Sequence, residues 1–192
     1  METRAKLLDA TIQSILEVGY AQTTTRGVAE LAGVSAGAQA YHFPRRVDLV
    51  VAAAQELVVR RLELAREGAE QISGPPRRRL TRLLDLMWED FSSSIFAVFV
   101  KLWVAAADEP ELYQALVAGE RRIAREVTEL AQEAAGDLAP GPDGEAKLLL
   151  VFSALRGLAL TQQFEPRGRR GRDPWPQLRE ELLAALAAGA ER

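Results

Sequence analysis

The chain of 192 residues contains no cysteine and a single histidine, His42. Without cysteine there is no disulfide framework and no thiolate metal site, which suits the reducing cytoplasm where we expect the protein. One histidine leaves no partner for a histidine-based metal centre or nucleophile pair. Glu89 and Asp90 are adjacent in sequence and so do not face each other on a helix, as paired acid and base groups would. We therefore expect no enzymatic activity, no metal and no cofactor. No apolar run approaches the roughly 18 residues of a membrane span. The N-terminus carries Glu2, Arg4 and Lys6 with no apolar signal core behind them, so no membrane partner is expected. Strand-type alternation is also missing. The Gly-containing stretches 136–144 and 165–173 lack phosphate-cradling spacing, and Arg167, Arg169, Arg170 and Arg172 read as a solvated connector, with contact to nucleic acid as the alternative. What is present is 48% apolar and 27% charged residues with a net charge of −3, ordinary for a globular protein.

Residues 23–46 carry the most specific pattern. Thr24 or Thr25 suits the cap of a short helix, because a side-chain oxygen satisfies an orphan backbone N–H. Val28, Leu31 and Ala32 then recur at i, i+3 and i+4 and predict its apolar face. Ala29 is small where a second helix must cross. Gly33 stands where the helix must end in a left-handed residue, Val34 plugs the corner, and Ser35 suits the cap of a second helix running to about Phe43. Pro44 stops that helix or begins the next. Two helices joined by a short Gly-containing turn form the motif whose second helix enters the DNA major groove. Its residues Ala36, Gly37, Ala38, Gln39, Ala40, Tyr41 and His42 are too small and polar for a core helix, and a few of them have long hydrogen-bonding tips. Arg26, Arg45 and Arg46 against Glu30 give this segment a local charge of +2, whereas residues 1–50 are neutral overall. The pattern points to the site more strongly than the charge does.

At residues 4–50 the chain resembles the TetR family of bacterial transcriptional regulators. The likeness lies in an amphipathic first helix over Ala5–Tyr20, the Thr-Thr start of the next, Ala-Gly-Val-Ser, and Tyr-His-Phe-Pro followed by basic residues and Leu49. It implies an all-α fold, with an N-terminal three-helix helix-turn-helix domain (1–46) and a six-helix effector-binding and dimerisation domain (47–192). Relative to the family's usual pattern, Gln39 replaces Leu or Ile, Ala40 replaces a tyrosine that touches phosphate, and Arg46 replaces Lys. Gln39 either turns towards DNA or stays as a hydrogen-bonded core residue. The DNA-contacting set expected is Thr25, Arg26, Ser35, Ala36, Gly37, Gln39, Tyr41, His42 and Arg46, with Arg46 on phosphate.

Beyond residue 46 the periodicity is helical throughout. Helices are predicted over about 46–72, 76–92, 95–107, 110–135, 145–164 and 174–189, which makes nine in all. Segment 145–164 is apolar over more of its circumference than one core uses. With the small residues Ser153, Ala154, Gly157 and Ala159, it predicts half of a four-helix dimer interface drawn from Phe152, Leu155, Arg156, Ala159, Leu178, Leu182 and Leu186. The family resemblance implies a ligand pocket in this domain. Trp88, Phe91, Phe96, Phe99, Trp103 and Phe152 are its candidate lining, with Lys101, Gln162 and Gln163 as orienting polar groups. The resulting expectation is a homodimeric repressor that binds double-stranded operator DNA of pseudo-palindromic sequence and is released by a small, mostly apolar effector. The alternative is a small-molecule-binding helical dimer with a vestigial DNA-binding head.

Overall fold

A computed structural model describes residues 2–135, 144–164 and 173–187. Residues 136–143 and 165–172 of the expected connectors, with Arg167, Arg169, Arg170 and Arg172, lie outside these, as do residues 188–189 of the expected last helix and the side chains of Leu148 and Gln163. Among the described residues the chain forms nine α-helices and no strand: α1 (Glu2–Glu17), α2 (Thr25–Ala32), α3 (Ala36–His42), α4 (Arg46–Glu70), α5 (Pro76–Phe91), α6 (Ser94–Ala105), α7 (Pro110–Ala135), α8 (Gly144–Phe164) and α9 (Trp175–Ala187). A 3-10 turn over Ala106–Asp108 links α6 to α7. Proline opens α5 and α7 at their first helical position, where a missing N–H costs nothing. No single described helix is long and apolar enough to cross a membrane.

The contacts divide the chain into two compact units. The first comprises residues 1–61 and 94–123. Its head is built around Leu7, Leu8 and Ala10 of α1, Val28 of α2, Phe43, and Leu49, Ala52 and Ala53 of α4, with Ile12, Ala32 and Val34 packed at the margin. The same unit buries Phe96, Val98, Phe99 and Leu102 of α6, and Leu112 and Leu116 of α7. Lys101 of α6 donates from Nζ to the Ile15 and Leu16 carbonyls, at 3.1 and 2.5 Å. A cation there caps the α1 C-terminus and complements its dipole. Helices α4 and α7 cross so closely that a Cβ on Gly119 would lie 2.5 Å from Cγ2 of Val58, so only glycine fits without displacement. Arg61 is buried, with its guanidinium 5.5 and 5.1 Å from the Phe96 and Phe99 ring centres and 4.0 Å from the Glu120 carboxylate. That placement offsets part of the cost of a desolvated charge.

The second unit comprises residues 62–93 and 124–192. Leu80, Leu83, Leu84, Met87, Trp88 and Phe91 repeat at three- and four-residue steps along α5 and present one continuous buried face. Val151, Leu155 and Ala159 of α8 and Trp175, Leu182, Leu183 and Leu186 of α9 are likewise buried. Trp175 stacks on Trp88 with ring centres 5.2 Å apart, and its indole N–H donates to Asp85 at 2.9 Å. Arg179 donates to the same carboxylate at 3.1 Å, so Asp85 joins α5 to α9 through two different donors.

Candidate nucleic-acid interface

Local chemistry builds the helix-turn-helix one cap at a time. The Thr24 hydroxyl accepts the Gly27 N–H at 3.0 Å and starts α2. Gly33 then takes the left-handed conformation (φ 67°, ψ 32°) that ends α2, and Val34 N–H returns to the Ala29 carbonyl at 3.0 Å. Two residues later the Ser35 hydroxyl accepts the Ala38 N–H at 3.1 Å and starts α3. The buried face of α2 is Val28 and Ala29, not the expected Val28, Leu31 and Ala32: Leu31 is 45% exposed, because the core meets the helix on the side of residues 28, 29 and 32.

On α3 the residues Ala36, Gly37, Ala40 and Tyr41 all face solvent, with Tyr41 84% exposed. His42 is half-buried and meets the Tyr41 ring edge-on at 5.4 Å. Two expected contact residues are placed differently. Gln39 is only 6% exposed, and its Nε2 donates to the Phe43 carbonyl at 2.8 Å. Its amide therefore caps the C-terminus of α3 from within the core and cannot reach a base. Arg46 turns inward as well: its Nε donates to the Thr23 carbonyl at 2.8 Å, its Nη2 to the Tyr20 carbonyl, and its guanidinium lies 4.0 Å from the Tyr20 ring centre. The planar fork holds the α1–α2 turn.

The remaining cations follow a similar pattern. Arg45 forms a two-pronged pair with Glu111, both contacts at 3.0 Å, and also pairs with Asp48. Those carboxylates push its pKa upward, and in return Arg45 holds the Asp48 carboxyl below its usual range. Arg26 is exposed and paired at 3.0 Å with Glu30 one turn away, a bond weak enough to exchange for a phosphate. Thr25 is half-buried beside it. Arg4, outside the expected set, is exposed on α1 with its guanidinium 5.6 Å from the Phe43 ring centre, close to the end of α3. Tyr20 is another residue that sequence reasoning did not single out as functional; its hydroxyl donates to Glu109 at 2.9 Å. Burial raises the Tyr20 pKa most, the Glu109 bond adds to that, and the Arg46 charge opposes it.

In the second unit a cleft of about 330 Å³ is lined by Met87, Ala124, Arg125, Val127, Thr128, Glu129, Leu149 and Phe152. Of the six aromatics expected to line a pocket, Phe152 does so here. Trp88 and Phe91 are core residues of this unit, Phe91 edge-on to Phe152 at 5.0 Å. Phe96 and Phe99 are core residues of the first unit, and Trp103 packs there between Phe99 and Tyr113, at 6.5 and 5.9 Å. The residues expected at a dimer face lie mostly inside the chain. Leu155, Ala159, Leu182 and Leu186 are buried within the chain, and Leu178 and Phe152 are half-buried. The outward side of α8 is Leu149, Leu150, Ser153, Arg156, Gly157 and Leu160, with the two leading leucines 65% and 62% exposed. Of the expected set Arg156 alone is exposed on that side, with its guanidinium over the Phe152 ring.

A capped pair of short helices around a left-handed glycine, with a bare and accessible second helix, defines a helix-turn-helix DNA-binding protein. Residues 7–53 match the family model described as bacterial regulatory proteins, tetR family. The transcriptional regulator CymR of Pseudomonas putida is 30% identical over 96% of this chain and 92% of its own length. The chain thus belongs to the TetR family of transcriptional regulators. Among solved structures, a transcriptional regulator from Saccharomonospora viridis in complex with choline superposes with a TM-score of 0.73 at 17% identity, covering 100% of this chain and 96% of that one. The regulator FadR of Bacillus subtilis in complex with stearoyl-CoA gives 0.69 at 17% identity, covering 96% and 98%. At such identities these two structures speak for the fold alone.

Proposed function

We propose that the protein is a homodimeric repressor whose two α3 helices enter successive major grooves of a pseudo-palindromic operator, and that a small, mostly apolar effector releases it. The observation that carries this reading is the outward arc of α3, Ala36, Gly37, Ala40 and Tyr41, set on a fully capped helix-turn-helix. The small Ala36, Gly37 and Ala40 let the helix backbone sink between phosphate ridges. Thr25, Arg26 and Ser35 flank the arc, His42 supports Tyr41, and Arg4 and Arg26 supply the charge for phosphate. Residues 1–46 act as the reading head in this scheme, and residues 47–192 carry the effector site and the dimer contact.

Pairing of two chains through α8 is supported by the exposed Leu149, Leu150 and Leu160 beside the small Ser153 and Gly157. A two-fold dimer sets its reading helices about 34–36 Å apart, one turn of duplex. The cleft at Met87, Val127, Leu149 and Phe152 is the effector site we favour: its lining is mainly apolar and its volume falls within the range of small-molecule sites. Related folds that hold choline or stearoyl-CoA support ligand binding in this domain. An effector coupling of about 1–3 kcal/mol would weaken operator binding roughly 5- to 150-fold.

A gel-shift salt series on an operator selected from random duplexes tests the DNA arm. Arg4→Ala and Arg26→Ala should each lower the slope of log affinity against log salt by about 0.9 without changing the preferred sequence. Weak binding with no preferred sequence, indifferent to both substitutions, would refute the reading.

A further inference from the structure

We infer that α3 reads the C5-methyl groups of thymines in the major groove, in place of the hydrogen-bonding edges of guanine or adenine. This rests on the DNA-binding reading above and extends it to the chemistry of the half-site. Guanine is read in two-pronged fashion by Arg or Lys, and adenine by Asn or Gln. Helix α3 contains no Arg or Lys, and its one amide, Gln39, is buried on the Phe43 carbonyl. Of the neighbouring guanidinium groups, Arg45 is held by Asp48 and Glu111 and Arg46 by the Tyr20–Thr23 turn, while Arg26, at the start of α2, is assigned to phosphate. Ser35 is the helix cap, its oxygen accepting the Ala38 N–H.

On the exposed arc there remain two β-methyl groups, a bare glycine and a tyrosine. Ala36, Gly37, Ala40 and Tyr41 stand at i, i+1, i+4 and i+5, so they share one side of the helix. With side chains ending at Cβ, the helix can approach the groove floor until Ala36 and Ala40 touch what projects from it. The group that an alanine methyl can recognise there is the thymine methyl. Tyr41, at the edge of the arc, adds a ring face and a single hydroxyl.

The test uses the full chain and begins with selection from random duplexes. Each thymine of the enriched half-site is then replaced by uracil, which removes the methyl and leaves base pairing and every hydrogen-bonding group in place. One or two positions per half-site should lose about fourfold in affinity, the worth of one buried methylene. Ala40→Gly should abolish the penalty at one of them. The uracil series needs no variant, so the outcome stands even if the glycine chain folds poorly. Affinity unchanged within twofold at every uracil position overturns the inference. So does a loss confined to guanines replaced by 7-deazaguanine, since that would mean guanine N7 is being read. A selection that enriches no sequence overturns the DNA-binding reading itself, and this inference falls with it.

Discussion

Arg46 stands where the family resemblance implies a phosphate contact, and its surroundings give it a different task. It links the carbonyls of Tyr20 and Thr23 across the α1–α2 turn and lies on the Tyr20 ring. Removing it should therefore destabilise the head without weakening the electrostatic attraction to DNA. For Arg46→Met we expect a loss of about 1.5–3 kcal/mol in urea unfolding, the usual worth of a hydrogen bond to a charged group. The salt slope of operator binding should stay unchanged; a slope lowered by about 0.9 would show that Arg46 neutralises a phosphate. Gln39 teaches the same lesson. Residue type alone leaves an amide in a reading helix open to two uses. The choice depends on whether an unsatisfied acceptor lies within reach, here the Phe43 carbonyl at 2.8 Å.

At the scale of elements, what is local was legible and what is long-range was not. Thr24, Gly33 and Ser35 cap and turn through atoms within five residues of themselves, so their chemistry could be read directly from spacing. Helix periodicity likewise located the helices beyond residue 46 among the described residues. The bonds that tie the head to the α6–α7 segment, Lys101 to the end of α1, Tyr20 to Glu109 and Arg45 to Glu111, join residues 66 to 89 positions apart, and no local pattern marks them. Buried aromatics were ambiguous for a related reason: Phe96 and Phe99 suit a core and a pocket equally until their neighbours are known.

The Tyr20–Glu109 bond allows a pH test. Because its pKa is raised on folding, the neutral phenol is the form the fold favours. Its contribution is complete below the ordinary tyrosine value of 10.0 and is lost as pH rises through the higher folded value. Tyr20→Phe should cost about 1 kcal/mol at pH 8. The gap between the two proteins should hold to about pH 10 and close above it, as the phenolate in the unsubstituted chain loses its donor proton and faces a carboxylate. Urea unfolding at pH 8, 10 and 11 measures this, and a gap that is constant across the series would show that the hydroxyl contributes nothing through Glu109.

For the whole molecule the decisive question is what covers the outer side of α8. Two leucines more than three-fifths exposed, a third at Leu160, and small residues between them make a surface that water solvates poorly. Leu155 and Ala159, drawn into the chain's own core, are unavailable to a partner, so pairing would rest on Leu149, Ser153, Arg156, Gly157 and Leu160. Gly157 separates the effect of pairing from that of folding. A Cβ built there meets nothing within 4 Å, so a larger side chain has room in the single chain. Glycine in a helix interior is also unfavourable by roughly 0.5–1 kcal/mol relative to alanine, so replacing it does not penalise the helix. A second helix packed against the glycine would meet the new side chain directly. Gly157→Leu should therefore keep the helical circular dichroism, sediment as a monomer where the unsubstituted chain sediments as a dimer, and bind operator at least tenfold more weakly, because one reading head gains nothing from the other. A Gly157→Leu chain that still sediments as a dimer would place the contact on another surface and require the spacing of the two reading heads to be derived afresh.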